Sequence, residues 1–69
     1  MRKVAAHRVA VDNRTVRMGV VEIVDGLVNR VREFHGEEPQ TEWLPGEVSI
    51  VTDEDGKARA YYQGEILTN

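Results

Sequence analysis

The sequence predicts an all-β protein, a small antiparallel meander of about five strands that curls into a partly closed barrel or a compact sandwich. Three observations lead there. Valine-rich stretches alternate with a period of two, Asp25-Gly26 and Asp53-Glu54-Asp55-Gly56 stand between such stretches as turns, and no apolar stripe at i, i+3, i+4 runs long enough for a helix.

Val4 to Val11 is bounded by Asp12-Asn13, and its β-branched content favours a strand. On pleat alone Ala5, His7, Val9 and Val11 share the face expected to meet the core. Val16 to Val24 is apolar on both faces, with Val16, Met18, Val20 and Val24 opposite Val21 and Ile23, which marks a central or doubly covered strand. Asp25-Gly26 suits the positive φ values of a tight hairpin, so Leu27 to Phe34 is the returning strand. His35 to Glu47 then reads as the one long connection, polar through Glu42 and ended by Pro45-Gly46, with Trp43 and Leu44 folding back over an open edge or end of the sheet. Val48 to Thr52 and Lys57 to Tyr62 form a second hairpin, and Gln63-Gly64 is a bulge or turn before Glu65-Ile66-Leu67.

A chain of 69 residues has room for one domain, 1–69, because a second would leave each too little interior to offset its chain entropy. It contains no cysteine, which removes disulfides and thiolate metal sites as supports for a small core. A partner subunit is the remaining support, and a homodimer is expected. Met1-Arg2-Lys3 opens like a signal peptide, yet Val4-Ala5-Ala6 runs into His7 and Arg8, so no apolar stretch follows. No run approaches the roughly 18 apolar residues of a membrane helix, and the chain is read as cytoplasmic and not membrane-bound.

Charge is uneven. The formal net charge is −3, but Met1 to His35 holds seven Lys/Arg against four Asp/Glu, and Gly36 to Asn69 holds two against eight. Such asymmetry serves pairing within or between chains as well as recruitment of nucleic acid, and an acidic sum argues against the latter.

The residues Gly19-Val20-Val21-Glu22-Ile23-Val24-Asp25-Gly26-Leu27-Val28 resemble the G-x-V-x-I-x-D-G-x-I hairpin in the N-terminal β subdomain of amidohydrolases. Leu44-Pro45-Gly46 is similar to the L-P-G that leads that family into its catalytic barrel, and Ala60 to Leu67 resembles its closing strand. The likeness covers about half the chain. The family's His-x-His metal pair does not follow Gly46, where Glu47-Val48-Ser49-Ile50 stands, and the barrel itself has no residues to form it. The resemblance therefore implies the accessory β subdomain alone, without the hydrolase activity or its metal.

Groupings that could carry chemistry are thin. His35-Gly36-Glu37-Glu38, with the distant His7, has poor metal spacing; the Asp53 to Gly56 turn has Gly64 where a calcium loop needs its twelfth-position Glu; Ser49, the one serine, lies in an alternating strand with no nucleophile elbow. No catalytic residue, metal or cofactor is expected. The leading expectation is a non-enzymatic interaction or structural module that self-associates, with Trp43, Tyr61 and Tyr62 at the interface. The alternative is a small barrel binding RNA or single-stranded nucleic acid through a stripe of Arg8, Arg17, Arg30 and Arg32, joined by Arg14, with aromatic stacking.

Overall fold

Alternating apolar residues and tight turns produce six strands in the computed structural model, which describes residues 1–69: β1 (Arg2–Val11), β2 (Arg14–Val24), β3 (Leu27–Glu33), β4 (Thr41–Thr52), β5 (Ala58–Tyr62) and β6 (Glu65–Ile66). There is no helix. The strands form one mixed sheet in the order β3-β2-β1-β4-β5-β6, curled into an open half-barrel.

The all-β expectation holds, but the chain is not a simple meander. β1 and β4 pair in parallel, with Lys3 opposite Thr41 and Val9 opposite Val48, whereas every other neighbouring pair is antiparallel. Parallel neighbours need a crossover, and Phe34 to Gln40 supplies it by passing from the β3 edge across β2 and β1 to the start of β4. The long connection expected over His35 to Glu47 is thus shorter than its composition suggests. Thr41 to Glu47, including Trp43, is strand, because the ladder with β1 satisfies a segment whose Pro45-Gly46 would otherwise read as loop.

Hairpin chemistry is legible in the turns. Asp25 and Gly26 both have positive φ, 53° and 76°, as do Gln63 and Gly64, at 52° and 82°. Two-residue loops of this kind twist in the sense of their flanking strands.

The core lies inside the curl and is built by Val4, Ala6, Val9, Val21, Ile23, Val48, Ile50, Ala60 and Leu67. Its β1 members differ from those expected from simple alternation. Val4 and Ala6 point inward at one end and Val9 and Val11 at the other, so the phase shifts at His7; β2 shifts opposite it, with Val21 and Ile23 inward and then Val16. The β1–β2 ladder skips His7 and Met18, and Met18 has φ 52°. β4 accommodates the same line with an extra residue at Pro45-Gly46, between the pairs Ala6–Leu44 and Arg8–Glu47, and Gly46 has φ 100°. The three central strands therefore bend along one crease, which folds the sheet around its core. Gly19 sits beside it, where a β-carbon would lie 2.6 Å from Cγ2 of Val9.

The open side of the curl is closed by the residues after β6. Leu67 is buried in the core, its N–H donates to Ala60 O at 2.8 Å, Thr68 O accepts from Arg2 at 2.7 Å, and Asn69 Oδ1 accepts from Gly26 N–H at 2.7 Å. Arg2 also forms a paired contact with Glu42, which holds the Glu42 carboxyl below its ordinary range.

Candidate functional site

Pleating gives β4 to β6 two faces, and the inner one is spent on the core. Tyr62 faces inward: it packs against the core, and its hydroxyl donates to Pro45 O at 2.6 Å at the crease. Trp43 and Tyr61 belong to the outer face, so the structure separates Tyr62 from the two aromatics grouped with it by sequence.

The outer face is built in register. Thr15, Ala10, Ser49, Tyr61 and Ile66 are successive cross-strand partners over β2, β1, β4, β5 and β6. Small Ala10 and Ser49 make a low floor beside Tyr61 and Ile66. Val51 opposes Arg59 in the next outward row, and three large apolar residues of this face stay exposed: Val51 at 53 %, Trp43 at 44 % and Ile66 at 43 %. Trp43 is held edge-on by His7, with ring centroids 4.7 Å apart and planes at 74°, a geometry that aromatic quadrupoles favour.

Ion pairs interrupt this face. Arg8 meets Glu47 at 3.5 Å between Trp43 and Ser49 along β4, and Arg59 pairs with Asp53 at the other end, beyond Val51. Asp53 is also the acceptor that shapes the β4–β5 turn, taking the N–H groups of Lys57 and Asp55 at 2.9 Å each. Those bonds, with that of Lys57 the largest influence and the Arg59 guanidinium assisting, hold its carboxyl below the ordinary value against the opposing effect of burial.

The arginine stripe is broken up by the fold. Arg32 is engaged by Glu38 through two hydrogen bonds at 2.7 and 2.8 Å and by Glu22 at 3.2 Å. The same contacts raise the Arg32 pKa and push Glu38 down to about 2; for Glu38 the Arg32 hydrogen bonds are the main cause, opposed by desolvation and helped by the His35 N–H. This cluster fastens the crossover to the outer face, where Val20 and Ala5 are buried although they stand outside the core cluster. Arg8 lies opposite Arg17, a like-charge pairing that Glu47 offsets. Arg14, Arg17 and Arg30 have no carboxylate within ion-pair distance.

Two shallow clefts open on the surface. One of about 490 Å³ is lined by Arg14, Thr15, Val16, Arg17, Val31, Arg32 and Glu33, and one of about 440 Å³ by His7, Arg8, Arg17 and Met18. No three His, Cys, Asp or Glu side chains converge in the way a metal ion requires, and no helix is long and apolar enough to cross a membrane.

No family model, curated protein or solved structure matches this chain. The site therefore rests on its own geometry. Sequence reasoning found Trp43 and Tyr61 but passed over Val51 and Ile66; for Val51 the signal was an apolar residue out of phase in a strand whose other face already carried Val48 and Ile50.

Proposed function

We propose that the chain is a non-enzymatic interaction module that pairs with a second copy of itself through the outer face of β4 to β6. The observation that carries this reading is the exposed apolar strip of Val51 and Ile66 beside Tyr61 over the low Ala10–Ser49 floor, with Trp43 exposed on the same face beyond the Arg8–Glu47 pair. A two-fold interface must be complementary to itself. A strip with small and large side chains in neighbouring columns can interdigitate with its own copy, and one whose flanking charges are already paired internally meets its copy without like-charge repulsion.

The resemblance of the Gly19 to Val28 hairpin to an amidohydrolase β subdomain is in keeping with a module that supports assembly and performs no reaction. Leu44-Pro45-Gly46 departs from that family's scheme by continuing as strand. The nucleic-acid reading loses force because Arg32 is held by two carboxylates and Arg8 by one, leaving Arg17 and Arg30 free of the four arginines in the stripe.

Sedimentation of the full chain tests the proposal. A dimer at high micromolar concentration that a Val51→Lys, Ile66→Lys double variant converts to monomer supports it. A wild-type chain that stays monomeric at that concentration overturns it, as does a dimer indifferent to the double variant.

A further inference from the structure

β2 is longer than the partner on its outer side. The β2–β3 ladder ends at Gly19 opposite Glu33, and beyond it the only backbone bond is from Phe34 N–H to Met18 O at 2.7 Å. Arg14 to Arg17 pair with β1 on one side and with nothing on the other. Open strand edges pair readily with other chains, and proteins usually blunt or cover them. Here the edge instead borders the 490 Å³ cleft, with half-buried Val16 and Val31 beside it.

The edge carries charge in a particular arrangement. Arg14 lies opposite Val11 and shares the inner face with Val16, whereas Arg17 lies opposite Arg8 on the outer face. Neither has a carboxylate within ion-pair distance. A strand laid along this edge, in line with β3, would place the cross-strand partners of Arg14 and Arg17 three positions apart, and therefore on opposite faces of the extended sheet.

We propose that the β2 edge at Arg14–Arg17 takes up an extended segment of another protein carrying two carboxylates three residues apart, one for Arg14 and one for Arg17. The backbone groups supply strand addition, and the arginines select the sequence. A second copy of the same edge is disfavoured, because antiparallel self-pairing about Val16 gathers the Arg14 and Arg17 of both chains into one ladder. A nucleic acid would meet the arginines but has no backbone donors and acceptors to match a strand edge. This site is separate from the β4–β6 face, so either can fail without the other.

The test titrates isotopically labelled full chain with a synthetic valine/threonine peptide bearing two glutamates three residues apart. Support consists of amide shifts confined to Arg14–Met18 and Val31–Phe34, lost when lysines replace the glutamates or when the peptide backbone is N-methylated. Glutamates two apart, which reach one face only, should bind about threefold more weakly, and an Arg14→Glu, Arg17→Glu double variant of the chain about tenfold more weakly. The proposal is overturned by absence of shifts, by shifts that survive the lysine exchange or arise on β4–β6, by displacement with a mixed single-stranded oligonucleotide, or by shifts at this edge on concentrating the protein alone. Should the double variant fail to fold, the peptide comparisons on the wild-type chain still decide the matter.

Discussion

The backbone N–H of Gly46 donates to Nδ1 of His7 at 3.1 Å, joining β4 to β1 on the line where the sheet bends. The extra residue at Pro45-Gly46 breaks the regular ladder there, so a side chain takes the place of a backbone acceptor. A ring nitrogen that accepts must be unprotonated.

Replacing that acceptor should cost stability without unfolding the protein. His7→Leu keeps an apolar contact for Trp43 but leaves Gly46 N–H to water, and a loss of about 1 kcal/mol in urea unfolding is expected. An unchanged midpoint would mean that the bond contributes nothing net.

Gly19 and Met18 make opposite predictions side by side. A β-carbon on Gly19 would meet Cγ2 of Val9 at 2.6 Å, so Gly19→Ala should destabilise by about 1–3 kcal/mol through overpacking. Met18 holds φ 52° with its side chain exposed, a conformation that costs a non-glycine residue roughly 1 kcal/mol. Met18→Gly should therefore leave thermal stability unchanged or raised, and a large loss would show that its side chain packs more than its exposure indicates.

How much of this was legible beforehand depends on where each residue's partners lie. Asp25-Gly26 was readable because a two-residue hairpin is a local object, with its turn chemistry and flanking strands adjacent in sequence. Thr41 to Glu47 was not, because Pro45 and Gly46 oppose regular structure locally and only the distant β1 makes the segment a strand. The shifted core of β1 failed for a related reason: Ala5 and His7 sit in perfect alternation with Val9, and nothing within the strand announces the crease that Met18 and Gly46 create on either side of His7. Among the arginines, type and spacing suggested a stripe, but Glu38, which removes Arg32 from it, arrives from the crossover.

That Glu38 contact makes stability sensitive to acid. Its carboxyl is depressed to about 2 in the fold by Arg32 and the His35 N–H, so the stabilisation is fully present above the ordinary carboxylate range and is lost as pH falls through that range toward about 2. Glu38→Gln should flatten the part of the stability–pH curve lying in this window and loosen the crossover over Val20. Carboxyl chemical shifts would check the assignment directly: a Glu38 midpoint in the ordinary glutamate range would show that the Arg32 contact does not persist in solution.

Closure of the half-barrel rests on Leu67. It is the one core residue contributed from beyond β6, is 8 % exposed, and is followed by the two contacts that tie Thr68 to Arg2 and Asn69 to Gly26. Truncating it removes apolar area and leaves a gap on the open side, where β3 and β5 face each other without a hydrogen-bonded ladder between them. Leu67→Ala should cost about 2–3 kcal/mol. Because the tail loses its anchor, amide exchange at Gly26 should also accelerate more than at Val48 in the centre of the sheet. A uniform acceleration would indicate global destabilisation alone and would argue against a tail that locks the hairpin independently.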